Sequence, residues 1–505
     1  MKKGSKIILS FVIILIVLAV AVLAGNMFIE NKMETALEEN LSGDEFEYEE
    51  LNASILGRSA SISSPVYDKD GAQISVGEIK LDGIDIFKYL SSNKIEISTL
   101  KFTNPEITIY TETEKEQDSS KDGKSKEIEL LIKSVEIVDG NFKMAKNDSV
   151  KEQLFARFPS LKLKDVSIDQ ESLKNGLPFY YEQLQLTSDS LFFNLNDQHD
   201  MYVEKMEMDG NALSFSKINI EPLYGKQEFQ QHIPYEKDRF DLSLGEFTLK
   251  SFNWSFENDS LSLESNNTRI SDGDIKIYRD KQVKDDTRQK PMYSKMIREL
   301  PFKLKLDTIR VENLAIQYEE LVKPKRGPGK VTFKKLNASI YNLSNVEMEP
   351  EDFPRTDIDV HTQFMGEAKL SVNWNFDISN KADVFSISGQ MDRISSEGIN
   401  QFMEPALNVK AEGGIRDMQF NFTGNNIKSE GDMKLVYRDF KVEVLKEDGE
   451  EENKLLSAIA NLIVNNDATS EEKEEKNIET ERTQTKSFWN YLWKNIRNGA
   501  LKSFL

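Results

Sequence analysis

Apolar residues recur along most of this chain at a repeating set of offsets. Ile95, Ile97, Leu100, Phe102, Ile107 and Ile109 form one copy, and Leu130, Ile132, Val135, Ile137, Phe142 and Met144 repeat it. Leu242, Leu244, Phe247, Leu249, Phe252 and Trp254 form a third copy with the last pair two residues nearer, a spacing that Leu304, Leu306, Ile309, Val311, Leu314 and Ile316 share. Within each pair the apolar residues stand two apart with a polar residue between them. That is the period of a strand with one greasy and one wet face. The three-residue steps mark a bulge or tight turn between short strands.

Strands are expected from Phe46 onward, beginning with Ala53-Ser54-Ile55 and Ser61-Ile62, with turns at Asp70-Gly71, Asp82-Gly83, Asp139-Gly140, Asp209-Gly210 and Asp272-Gly273. Short helices are expected over Val150 to Phe158 and over Met292 to Leu300, the second stopped by Pro301. Residues 111–126 and 280–290 are charged and read as exposed loops or linkers. A boundary is expected near residue 290, where the apolar repeat restarts.

The amino terminus departs from this pattern. Lys2, Lys3 and Lys6 precede an apolar run from Ile7 to Ala24. Eighteen helical residues cover about 27 Å, close to the thickness of a bilayer core. The lysines predict a cytoplasmic amino terminus and a translocated remainder. An uncleaved anchor is favoured over a cleaved signal peptide because the run is longer than a usual signal core. Phe28 to Leu41 reads as a short amphipathic helix beyond it.

Composition narrows the function classes. Asp and Glu number 86 against 65 Lys and Arg, and a net charge of −21 argues against nucleic acid as a main partner. There is no cysteine, so disulfides and thiolate chemistry are excluded. His199, His232 and His361 are widely separated and lack metal-ligand spacing. Asp68-Lys69-Asp70-Gly71 resembles a fragment of a calcium loop without its later ligands and reads as a hairpin turn. No phosphate loop or nucleophile elbow occurs. The chain therefore reads as a non-enzyme without a cofactor.

The carboxyl end changes character. Leu455 to Val464 suggests a helix or final strand, and Thr469 to Arg482 is a charged tract that reads as a disordered tether. On a helical wheel of Ser487 to Leu505, Phe488, Trp489, Leu492, Trp493, Ile496, Ala500 and Phe504 share one side, with Lys494, Arg497 and Lys502 opposite. Such a helix suits an anionic lipid surface through Trp489, Trp493, Phe504 and the three cations; the alternative is a cap packed on the sheet.

Taken in order, these stretches resemble the AsmA/TamB-like family of bacterial envelope proteins. Leu51-Asn52-Ala53-Ser54 through Ile109, with its Leu100-x-Phe102-x-x-Pro105-x-Ile107 pattern, resembles the family's opening strands. Leu300-Pro301-Phe302 through Tyr318-Glu319-Glu320 resembles the start of its second half. Tyr437-Arg438-Asp439-Phe440-Lys441-Val442 with Leu455 to Asn465 resembles its end segment. The resemblance implies an inner-membrane anchor, a periplasmic β-groove and phospholipid traffic toward the outer membrane, in aid of outer-membrane biogenesis. The partners implied are phospholipid, the inner membrane through Ile7 to Ala24, and the outer membrane or one of its proteins.

The expected architecture is mainly β: an elongated, curled amphipathic sheet forming an open trough, with an amino-terminal transmembrane helix and a carboxyl-terminal amphipathic helix. Residues 1–25 would be tip and anchor, 26–290 and 291–468 two halves of the groove, 469–484 the acidic tether and 485–505 the helix. About 400 residues at roughly 14 per strand and turn give about 28 strands, too many for one twisted open sheet. Each apolar side chain left in water forgoes about 1.5–3 kcal/mol, so the greasy face needs a second sheet, closure into a barrel, or bound acyl chains. On the last reading Ile97, Phe102, Ile107, Leu249, Trp254, Leu306 and Val311 line the groove. Core packing between two sheets is the competing reading for each of them, and a non-enzymatic β-rich scaffold or stalk is the competing function.

Overall fold

A computed structural model describes residues 46–54, 56–69, 71–85, 88, 94–110, 129–146, 152–169, 171–172, 179–257, 260–349, 352–445 and 471–504. The apolar run Ile7 to Ala24, the helix expected over Phe28 to Leu41, the loop at 111–126 and the stretch Leu455 to Val464 lie outside these residues. Among the described residues, no helix is long and apolar enough to cross a membrane. The fold is mainly β, 64% strand and 12% helical, and its 27 described strands form one large mixed sheet. Its contacts divide into two compact units, Met1–Asn196 with Asp200–Lys217 and Trp254–Ser262, and Asp197–His199 with Ile218–Asn253 and Leu263–Leu505. The boundary expected near residue 290 falls inside the second unit.

In the first unit, two arms of sheet meet on one long strand, Leu130–Ala145. Its first half pairs in parallel with Ile95–Thr103, and its second half with Glu106–Tyr110. Asp139, at φ 54°, separates the halves, and Asn104, at φ 50°, separates the two partner strands. A Cβ on Gly140 would lie 2.9 Å from Ile137 Cγ2 and 3.2 Å from a Pro105 ring carbon, so the bend needs glycine. Asp139-Gly140 is therefore a kink inside a strand whose register runs on unbroken, rather than a turn, and Asp272-Gly273 likewise lies within the strand Asn267–Asp280. The strands Val66–Lys69 and Ala72–Ser75 flanking the expected turn pair antiparallel, with Lys69 opposite Ala72, while Asp70 lies outside the described residues. Both arms contribute to one core in which Ile62, Ile79, Leu81, Ile84 and Ile97 are fully buried.

The helix expected over Val150 to Phe158 is instead the start of a 17-residue strand, Glu152–Ile168. Leu154, Phe155 and Phe158 mimic helical spacing, but the ladder to Leu130–Ala145 wins, because it satisfies the backbone along the strand. Pro159 is tolerated where the neighbouring ladder is broken between Gln183–Ser188 and Ser190–Asn196.

Among the pairings described in the second unit, Asn267–Asp280 lies parallel to Lys303–Leu321 and the others run antiparallel. A parallel pair needs a crossover. Here it contains the helix Tyr293–Arg298, within the expected Met292 to Leu300 range. The charged stretch before it is a loop but not a free one, since Asp286 is buried between Arg288 and Lys290. The expected tether is likewise a correction: Glu471–Glu481 is a strand pairing with Lys428–Val444. Its Ile478 and Thr480 point inward, and Lys434 meets Glu472 at 2.5 Å. A tract this polar lacks the apolar mass to order itself, but a preformed edge supplies its backbone partners.

Candidate functional site: an apolar wall

The register of the second unit aligns apolar residues across ten neighbouring strands. One row runs Leu249, Thr268, Ile309, Ile340, Ile358, Trp374, Ile387, Phe422, Gly431 and Ile478. The next row carries Phe247, Ile270, Val311, Ala338, Val360 and Val372. The three-residue step from Val311 to Leu314 is a register shift, with Asn313 at φ 54° beside Asp272 at φ 57°. Asn313 Nδ2 donates to Asp272 Oδ1 at 2.7 Å, which ties the two left-handed residues together, and Leu314 returns to the apolar face. The opposite face is polar, as in the Arg269–Glu312 ion pair and the hydrogen bonds Asn373–Asp359 and His361–Ser371.

Cover differs along this wall. In the strands from Arg239 to Ser344, the hydrophobic cluster consists of Leu244, Ile270, Ile275, Leu306, Ile309, Val311, Leu314, Leu336, Ala338, Ile340 and Leu343. All come from four adjoining strands, and most are only half-buried. Among the described residues, the cluster has no member from an opposing layer. At the other end, Phe422, Leu435, Tyr437 and Ile478 are fully buried.

The cover there is helical. Phe488 stacks on Trp374 with ring centres 4.7 Å apart and meets Phe385 edge-on at 5.2 Å. Tyr491 also packs on Phe385, and burial pushes its hydroxyl up to about 12. Further along the helix Phe488–Phe504, a Cβ on Gly499 would lie 2.5 Å from Met433 Sδ, so only glycine lets the helix sit this close. The helix Tyr293–Arg298 joins the cover, fixed by Arg298 to the buried Asp383 at 2.8 Å.

The approach to the terminal helix is held by ions. Lys486 reaches the buried Glu236 at 2.9 Å and Asp285 at 3.0 Å, and Lys281 meets the same Glu236 at 2.6 Å. Burial alone would raise the Glu236 carboxyl, but hydrogen bonds from the two lysines outweigh it and hold the group below its ordinary value. On the wall face beside this cluster, Arg279 grips Asp238 bidentately at 2.7 and 2.6 Å, and the Tyr318 hydroxyl donates to Glu320 at 2.7 Å.

The seven expected groove residues are not brought together. Leu249, Leu306 and Val311 lie on the wall of the second unit. Ile97, Phe102 and Ile107 belong to the core of the first, where Ile97 is 0% exposed and matches a dry core position. Trp254 packs beside Tyr181 and Phe256. Ile340, Ile358, Trp374 and Phe422 were overlooked in the sequence, although Leu370-x-Val372-x-Trp374-x-Phe376 carries the same alternation.

The terminal helix is docked, and it is turned from its expected orientation. Its buried stripe is Phe488, Tyr491, Asn495, Gly499 and Ser503, whereas Trp489 is 54% and Trp493 39% exposed. Trp489 Nε1 donates to the Tyr293 hydroxyl at 2.9 Å, and Trp493 meets Phe402 edge-on. The cations bend to the chain's own acceptors: Lys494 to Thr483 Oγ1 at 2.7 Å, Arg497 to Asn498 Oδ1 at 3.1 Å and Lys502 to the Asn477 carbonyl at 3.3 Å. The side chain of Phe504 lies outside the described residues.

The three histidines have structural surroundings. His199 accepts the Phe240 amide between the Phe229 and Phe240 rings, His232 stacks on Tyr224, and His361 bonds Ser371. Among the described residues, no group of three or more His, Asp or Glu could hold a metal ion. No protein-family model matches this chain, and no curated protein matches it.

Proposed function

We propose that the chain is an anchored envelope protein that carries phospholipid between the inner and outer bacterial membranes, with acyl chains lying against the apolar wall. The observation that carries this reading is the one-sided cluster of eleven apolar residues from four adjoining strands, in which eight half-buried side chains surround the buried Ile309, Val311 and Leu314. Leaving such a face to water is costly, and acyl chains match its chemistry without demanding a particular partner sequence. The charged residues Arg279, Asp238 and Glu320 border the same face and offer a polar edge for headgroups. Placement in the inner membrane rests on Ile7 to Ala24 and its lysines, and the envelope setting on the family resemblance.

Val311→Asp tests the reading. A wall open to water can hydrate the new carboxylate, whereas a dry core would lose several kcal/mol. The variant should remain folded and soluble while copurifying phospholipid, counted by mass spectrometry after delipidation, falls. Wholesale unfolding would mean that Val311 is core. The second reading, a β-rich scaffold for envelope assembly, is favoured by the densely buried core around Ile97 in the first unit. A wild-type protein that carries no phospholipid would leave the scaffold standing alone.

A further inference from the structure

We propose that the distal half of the terminal helix, residues 492–504, is a lid that lifts from the covered end of the wall while its root stays fixed. The proposal rests on the lipid reading of the wall, which the lid would open at its last two strands. The contrast between the two halves of the helix carries it. At the root, Phe488 sits among Trp374, Phe385 and Tyr293, and Lys486 is tied to Glu236 and Asp285. The amide of Lys290 donates to the Gln484 carbonyl at 2.8 Å, and Arg482 returns a bond to the Lys290 carbonyl.

Beyond Tyr491 the stripe facing the sheet becomes small and polar: Asn495, Gly499 and Ser503. Ser429 Oγ donates to Asn495 Oδ1 at 2.8 Å, Asn498 Nδ2 to Thr480 Oγ1 at 3.0 Å and Lys502 Nζ to the Asn477 carbonyl at 3.3 Å. Leu492, Ile496 and Ala500 flank the stripe half-buried, so this half is held by polar contacts and partial burial rather than by ions and stacked rings. Ser503 spends its hydroxyl on the helix's own Gly499 carbonyl. The buried Arg497 Nε has no hydrogen-bond partner among the described residues, as Arg482 Nε and Tyr491 Oη have none at the root, where ion pairs and stacked rings offset the loss. A buried donor left unpaired destabilises the docked state, and it regains its partners in water or among headgroups. Meanwhile Trp493 faces outward beside Arg497, so a lipid surface can bind the lifted helix more strongly than the docked one. Lifting would bare Met433 and Ile478, which Gly499 now covers.

The cysteine-free chain permits a clean test. In the full-length protein, Ser429→Cys with Asn495→Cys would staple the lid to the strand Lys428–Val444. Transfer of a fluorescent phospholipid between phosphatidylglycerol-containing vesicles should fall about tenfold on oxidation and return on reduction, as expected when a competent state is withdrawn. Equal transfer by the stapled and reduced forms would overturn the lid. Absence of transfer in both forms and in the wild type would instead sink the lipid reading. Hydrogen exchange on the wild type decides the matter even if the double variant does not fold. Amides of residues 496–504 should exchange well before those of 428–444 and faster still with vesicles, and equal protection would refute a lid.

Discussion

The middle of the wall and its helix-covered end lie in one unit, share one alternation and are joined by one register, yet their side chains meet different surroundings. Ile340 and Ile358 are half-buried, whereas Ile387 and Phe422, three and two strands from the last in the same row, are almost wholly buried. What changes is the cover: aromatic and small residues of the helices Tyr293–Arg298 and Phe488–Phe504 at one end, and in-sheet neighbours at the other. A β-pattern thus specifies which face is greasy without specifying what lies against it. The covered end is where packing supplies stability, and the middle is where a mobile ligand could be accommodated.

The sharpest way to break this comparison is to delete the same kind of mass from each region. Phe422→Ala should cost about 3–5 kcal/mol in denaturant unfolding, because a buried ring leaves a cavity, whereas Leu244→Ala should cost under about 1.5 kcal/mol because its side chain is only half-buried. Similar losses at both positions would show that the middle is also a closed core.

An intermediate effect is expected from acid. The lowered Glu236 value means that its contribution to the root is complete above the ordinary glutamate range and is lost as pH falls through the lower folded value. Lys281 and Lys486 face the carboxylate, with Asp285 sharing Lys486. Tryptophan fluorescence of the covered end should therefore be flat from neutral pH to about 5 and change only below about 4. Glu236→Gln should abolish that change. A transition near neutrality would mean that another group holds the root.

A smaller effect on stability, and the most specific on binding, belongs to the exposed ring pair. Replacing Trp489 and Trp493 by Ser should cost about 1–3 kcal/mol in unfolding, less than Phe422→Ala, since both rings are only partly covered. The same change should abolish binding to anionic vesicles, which in the wild type should weaken with salt. Wild-type protein that ignores such vesicles at low salt would leave the helix as a packing cap alone.

Much of this architecture was legible because strand alternation is local. The pairs around Ile95, Leu130, Leu242 and Leu304 name the apolar face, and the step from Val311 to Leu314 marks its bulge. The errors have equally local causes. Leu154, Phe155 and Phe158 carry a spacing that suits a helix until a neighbouring strand competes for their backbone. Glu471–Glu481 looks unstructured because almost none of its order comes from its own side chains. The seven residues expected to line a groove fall in separate clusters because Ile97 and Leu306 stand in equivalent alternations, and nothing within either segment tells a sealed position from a half-buried one.

The sequence by itself determined that the chain is rich in strands with one apolar face, that it lacks cysteine chemistry, and that an aromatic helix stands at its carboxyl end. These follow from periodicity and composition, which neighbouring residues express without knowing the fold. Only the tertiary structure decided which segments share a row, that Ile97 is sealed while Ile340 is half-open, and that the terminal helix turns Asn495 and Gly499 rather than Trp489 and Trp493 toward the sheet. Those outcomes depend on contacts between residues far apart in the chain, where close packing, and the need of every buried backbone group for a partner, override the preference of any single segment.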